Sequence, residues 1–205
     1  MKTLLANRCF NNVDSVHQLN VTYGSQWTQY WTYFKNVTEL RLSAQSFHSN
    51  VSLACELQGI IPLTKLTSLA INIREFPVET LLDLLTFVPL LRTLEFKGQQ
   101  VTQSEADSWM NTPLFESIST KNSIRILNTG YRTSIPNIKL LIALCPKAKQ
   151  LVANTRPRQM LEIINLIVTL KESQRCQITC LKSDTWSMPR RSSIRDRRAS
   201  CRERV

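Results

Sequence analysis

One short pattern recurs along this chain of 205 residues and limits what it can fold into: apolar-x-x-apolar-x-apolar. It is clearest at the two ends of residues 66–96, as Leu66-x-x-Leu69-x-Ile71 and Leu91-x-x-Leu94-x-Phe96. Between them lies Pro77, then Leu81, Leu84, Leu85 and Val88 on one face at helical spacing, with Pro89 closing the run. This stretch therefore reads as strand, loop, helix and strand. The pattern also stands at Val16-x-x-Leu19-x-Val21 and Val37-x-x-Leu40-x-Leu42. It returns more weakly at Ile124-x-x-Leu127-x-Thr129 and Ala148-x-x-Leu151-x-Ala153. Successive starts are 21, 29, 25, 33 and 24 residues apart.

Each interval carries helical signals. Pro77 suits the first helical position of a helix over 77–88, because its missing N–H has no partner there in any case. A second helix is expected over 136–145, with Ser134 as N-cap and Ile138, Leu141, Ile142 and Cys145 as its apolar stripe. A third runs from Pro157 to about Leu170, with Met160, Ile163, Ile164, Ile167 and Leu170 inward. Pro113 divides 104–118 into two short helices, and 54–61 offers a turn or two. The aromatic residues Trp27, Tyr30, Trp31, Tyr33 and Phe34 are expected to fill the first unit's core, or else to close the solenoid's open end or dock a preceding domain. A lone strand–helix unit cannot bury its apolar side, whereas stacked units share one core. The expected fold is an α/β leucine-rich-repeat solenoid of about six units, irregular because one spacing exceeds the usual ~20–29 residues. Its parallel strands would line a concave face and its helices a convex one.

Four glycines are too few for Gly-rich phosphate loops or a turn-dense sandwich. No apolar run approaches the ~20 residues of a membrane span, and Leu4-Leu5-Ala6 is too short for a signal peptide. That context favours the cytoplasm or nucleus, where Cys9, Cys55, Cys145, Cys176, Cys180 and Cys201 would be reduced core thiols. The sequons at Asn20, Asn36 and Asn50 then read as chance. The net charge of +11 suggests nucleic acid, but residues 190–205 hold seven Arg against Asp196 and Glu203. The other 189 residues carry a net +6. The final RDRRASCRERV, residues 195–205, reads as a basic tail for acidic partners, as a localisation signal, or, the favoured reading, as a translated sequencing adapter, which it resembles; it is excluded from fold reasoning. Residues 1–173 are expected to form the repeat domain and 174–205 a poorly structured tail.

Catalytic chemistry finds no constellation. His17 and His48 have no carboxylate at a spacing that would orient them, and Asp14-Ser15 beside His17 is no triad. Cys176-x-x-x-Cys180 lacks the further ligands of a structural zinc site. Glu79 and Asp83 share the outer side of a helix and read as solvated surface. There is no P-loop, dinucleotide, nucleophile-elbow or zinc-protease motif. No catalytic residue, metal or cofactor is expected.

What remains is the strand face turned away from the core, since side chains alternate along a strand. It comprises Gln18, Asn20 and Thr22; Glu39, Arg41 and Ser43; Ser68, Ala70 and Asn72; Thr93, Glu95 and Lys97; Ile126, Asn128 and Gly130; and Gln150, Val152 and Asn154. The candidate partner-binding residues are Glu39, Arg41, Ser68, Asn72, Thr93, Glu95, Lys97, Asn128, Gln150 and Asn154. This face is amide-rich and mixed in charge, unlike a nucleic-acid groove with clustered Lys, Arg and stacking aromatics.

The segments IPLTKLTSLAI, ETLLDLLTFVPLLRTLEF and LLIALCPKAKQLVA resemble the leucine-rich-repeat region of divergent F-box proteins across roughly residues 10–172. Cys145-Pro146 followed by Leu151 resembles the cysteine-containing repeat type found there. The resemblance implies a non-catalytic module whose repeats hold the substrate of a ubiquitin ligase. It implies contact with the ligase adaptor only if an F-box lies upstream of Met1. The alternative reading is a basic nucleic-acid-binding protein.

Overall fold

The computed structural model describes residues 13–22, 33–44, 52–130, 133–153, 157–172, 178 and 180–182. Seven strands form one sheet in chain order: β1 (Gln18–Thr22), β2 (Glu39–Ala44), β3 (Ser68–Ile73), β4 (Thr93–Lys97), β5 (Ile126–Thr129), β6 (Gln150–Ala153) and β7 (Cys180–Lys182). Every pair is parallel. The helices are α1 (Leu53–Gln58), α2 (Val78–Thr86), α3 (Gln103–Met110), α4 (Pro113–Lys121), α5 (Ile135–Leu144) and α6 (Pro157–Glu172). The fold is α/β, with parallel strands in sequence order alternating with helices, as a repeat solenoid requires.

The pairing register matches the sequence pattern residue for residue. The middle apolar position forms an unbroken leucine row: Leu19, Leu40, Leu69, Leu94, Leu127, Leu151 and Leu181. The first six are each at most 2% exposed. Two residues before each strand stand Val16, Val37, Leu66, Leu91, Ile124, Ala148 and Ile178, all buried. The third position runs Val21, Leu42, Ile71, Phe96, Thr129 and Ala153. Full burial of one such aliphatic side chain contributes about 1.5–3 kcal/mol, so these rows dominate the stability of the stack.

Register is kept although the intervals vary in length, and the backbone shows how. The carbonyl just before a strand accepts two N–H groups from the next unit. His17 O takes Thr38 and Glu39, Thr38 O takes Thr67 and Ser68, and Thr67 O takes Arg92 and Thr93. Arg92 O takes Arg125 and Ile126, and Arg125 O takes Lys149 and Gln150, all ten bonds at 2.8–3.2 Å. The clamp acts at strand entry, so the interval between strands can lengthen without shifting the pairing.

A strand order with no reversal, joined by crossovers of one hand, puts all helices on one face. Helices of neighbouring units pack on each other accordingly, α1 on α2, α2 on α4, α3 and α4 on α5, and α5 on α6. One continuous core runs between sheet and helices from Val16 to Ile178. Helix starts follow local chemistry. Thr102 caps α3 in a reciprocal box with Glu105, Thr112 caps α4 ahead of Pro113, and Ser134 caps α5 by accepting from Asn137 N.

Several expectations change. Pro77 is the N-cap of α2, with an extended ψ of 146°, rather than its first helical residue. Asp83 is not merely solvated: its Oδ2 accepts from Ser52 Oγ at the start of α1, 2.8 Å away. Ile164 points outward, 42% exposed, because Ile163 and Ile167 take the core positions of α6. Cys55 is exposed, while Cys145 is buried as expected. The sheet has a seventh strand inside the segment expected to be unstructured. Its pattern is Ile178-x-x-Leu181, and the third position is polar Ser183. Phe34 is buried and Tyr33 exposed, while Trp27, Tyr30 and Trp31 lie outside the described residues.

Candidate functional site: the open face of the sheet

Parallel sheets are ordinarily covered on both faces and read as continuous apolar runs. Here the strands alternate: β4 is buried only at Leu94 and Phe96, β6 at Leu151 and Ala153. The face opposite the helices therefore carries side chains in straight rows. One row is Gln18, Glu39, Ser68, Thr93, Ile126 and Gln150. The next is Asn20, Arg41, Ala70, Glu95, Asn128 and Val152. A shorter third row is Thr22, Ser43, Asn72 and Lys97.

Nine of the ten candidate residues fall in these rows, and Asn154 lies outside the described residues. Glu39, Arg41 and Asn72 are exposed, while Ser68, Thr93, Glu95, Lys97, Asn128 and Gln150 are half-buried. On β1–β6 the charges of the face balance, Glu39 and Glu95 against Arg41 and Lys97. Glu95 and Lys97 form an ion pair at 2.8 Å. Lys97 is held from its other side as well: a Cβ on Gly130 would overlap Lys97 Cγ, so the lysine stem lies flat where Gly130 has no side chain. Gly130, read from sequence as a face position, is thus a buried seat for its neighbour. Glu39 and Arg41 are exposed and have no ion-pair partner among the described residues. Ala70 sits between Arg41 and Glu95 and is buried at 9% exposure, a short side chain flanked by longer ones. Ile126, 36% exposed, begins an apolar spot that Val152 continues diagonally.

Two buried asparagines, invisible to an apolar pattern, hold the loops beside this sheet. Asn137 Oδ1 accepts from Val101 N at 2.7 Å, and its Nδ2 donates to Gln99 O at 2.7 Å. This fixes the exit of β4 against the start of α5. Asn122 Nδ2 donates to Leu144 O at 2.6 Å and Ile118 O at 2.9 Å, joining the ends of α4 and α5. Lys147 Nζ adds bonds to Thr120 O and Asn122 O, at 2.8 and 3.1 Å, where a cation suits a helix C-terminus.

On the helix side, an open cleft of about 830 Å³ lies among α3, α4, α5 and α6. Its apolar lining includes Met110, Phe115 and Leu170. Its central charges satisfy each other: Lys139 Nζ is 3.0 Å from Asp107 Oδ1, and Gln103 Nε2 also donates to Asp107 at 2.8 Å. The Gln103 bond first, then Lys139, holds the Asp107 carboxyl below the usual carboxylate range. The cleft exists because the longest interval carries two helices, α3 and α4, instead of one.

His17 Nδ1 lies 3.1 Å from Asn36 O. Burial pushes the Cys145 thiol far up, which disfavours the thiolate needed for attack or metal binding. No group of three or more His, Cys, Asp or Glu among the described residues could hold a metal ion. No described helix is long and apolar enough to cross a membrane. The fold and this face define a class, parallel strand–helix repeats whose sheet has one face that no described helix covers. Compared with family models, curated proteins and solved structures, the chain has no match.

Proposed function

We propose that the chain is a non-catalytic protein-interaction module whose bare sheet face holds a protein partner. The supporting observation is the parallel sheet left uncovered on one side, with in-register rows of mixed hydrogen-bonding and charged side chains. Such a surface is rigid, so binding costs little backbone ordering. Quantitative capture tests the reading. Proteins retained by the wild type are expected to be lost with Glu95→Arg together with Asn128→Arg, and kept with Glu79→Arg on the helix side. Equal loss from both variants would sink it.

The finer reading is the substrate-recognition repeats of an F-box ubiquitin-ligase component in the cytoplasm or nucleus, supported by the segments that resemble that family. A gene product extended upstream of Met1 is expected to capture the cullin-ligase adaptor. Failure of capture with an F-box present would remove this reading and leave the binding face standing. Nucleic acid is disfavoured by the mixed charges of the face, Glu39 and Glu95 among Arg41 and Lys97 on β1–β6. A chain ending at Ser173 is expected to show no salt-sensitive binding of DNA or RNA.

A further inference from the structure

The edge at which the strands begin carries its charges unevenly. The residue just before each of β1–β6 is His17, Thr38, Thr67, Arg92, Arg125 and Lys149 in turn, and the entry bonds hold these six in one row. Neighbouring strands lie about 4.8 Å apart, so Arg92, Arg125 and Lys149 stand side by side at that spacing. All three are exposed. The segments leading into their strands, 88–92, 122–125 and 145–149, contain no Asp or Glu. At the far end of the edge, Asp14 is taken by Lys35, 3.0 Å away. Helix C-termini also lie on this edge and attract cations, which accounts for Lys147, bound to Thr120 O and Asn122 O. It does not account for the two arginines. Arg92 has no ion-pair partner among the described residues. Arg125 spends one donor on a turn carbonyl, Nη1 to Lys147 O at 3.4 Å, and keeps the rest of its fork. Beside them stands Leu90, two residues before Arg92 and 56% exposed.

We propose that the strand-entry edge across β4, β5 and β6 docks an acidic segment of a protein partner, with carboxylates on Arg92 and Arg125 and an apolar side chain on Leu90. Charge complementarity points to this occupant. Adjacent guanidinium groups present planar forks, and a carboxylate is the protein group that such a fork holds bidentately. Lys149 extends the positive row by one strand. The three positions span about 9.6 Å, which an extended segment crosses in about three residues. A short acidic run laid across the strands therefore matches the row. Leu90 favours a protein over a nucleic acid. An exposed leucine gains by covering apolar surface, which a phosphate backbone does not offer. No Phe, Tyr or Trp stands in the row to stack on bases. The edge is distinct from the sheet-face rows, where Glu39 and Glu95 stand among Arg41 and Lys97. It selects for one sign of charge, and it needs no occupant on the face.

The test uses the full chain and a short fluorescent peptide of Asp, Glu and Leu, its affinity read by anisotropy at low and high salt. Wild type is expected to bind it, more weakly as salt screens the charges. Arg92→Glu and Arg125→Glu are each expected to weaken binding about fivefold or more, and Leu90→Ser about twofold. Arg74→Glu is the control, the same charge change on an exposed arginine at the exit of β3. It should leave the affinity within about twofold. The Arg-rich stretch 190–204 is present in every variant and cancels in the comparison. A photo-crosslinker in the peptide gives a second readout on the wild type, and it is expected to label residues 88–92 and 122–125. Equal losses from Arg74→Glu and Arg92→Glu would overturn the proposal, as would crosslinks confined to 183–205. So would a duplex DNA probe that binds more tightly than the peptide and responds to Arg92→Glu but not to Leu90→Ser, since the occupant would then be a nucleic acid.

Discussion

The two faces of this sheet are written on the same strands and obey different rules. On the helix side, position after position is fixed: Leu40, Leu69, Leu94 and Leu127 repeat one side chain across four strands. One pleat away, Arg41, Ala70, Glu95 and Asn128 share a row and little chemistry. The difference is one of constraint. A buried position must fill a shared core, so its neighbours above and below dictate it. A bare position answers only to solvent and to whatever docks on it. Stability and recognition should therefore be separable, residue by residue, along a single strand.

The sharpest way to break this contrast is β4. Leu94→Ala is expected to cost about 2–5 kcal/mol, because a fully buried leucine leaves a cavity, whereas Glu95→Ala should stay within about 0.5 kcal/mol. Denaturant unfolding of both variants measures it, and similar losses would erase the distinction. Next is Asn137, which belongs to the buried side despite its polarity. Asn137→Ala leaves the Val101 N–H without its acceptor, and about 1–3 kcal/mol should be lost. A smaller effect is expected at Thr102→Ala, about 1 kcal/mol for the lost cap of α3. There the Thr102 backbone N–H, then its hydroxyl, holds the Glu105 carboxyl below its ordinary range. A depressed carboxyl stabilises the fold above its unfolded pKa and loses that contribution as pH falls through the folded one. Glu105→Gln should therefore flatten the acid limb of a stability–pH curve, measured from about pH 5 downward. The smallest effect comes from Glu56, whose carboxyl is pushed up by burial and has an unpaired buried oxygen. Its sign is opposite: the group favours the fold when protonated, and the contribution fades as pH rises through the folded pKa. Glu56→Gln should remove a slight loss of stability above the ordinary carboxylate range.

The same contrast explains what the sequence disclosed. The six triplets from Val16 to Ala153, apolar throughout except for Thr129, match the pairing register residue for residue, because burial writes a periodic signal. The seventh unit, Ile178-x-x-Leu181, keeps two apolar positions as the fifth does, but it stands in the stretch 174–205, where basic and polar residues outweigh the apolar period. Asn122 and Asn137 escaped for a related reason: they are buried through hydrogen bonds, which carry no hydrophobic period. Ile164 was assigned inward because an apolar stripe on α6 is wider than the core it meets. The face rows were legible as positions, since alternation fixes them. The seating of Lys97 on Gly130 was not, because it depends on two strands packed side by side.

The central claim is that the bare face binds while the opposite face stabilises. One paired measurement tests it most directly: the unfolding midpoint and the quantitative partner capture of Glu39→Lys with Arg41→Glu, a double reversal that preserves net charge. The account predicts an unchanged midpoint and loss of the wild-type partners. Undiminished capture, or a midpoint that falls together with capture, would contradict it.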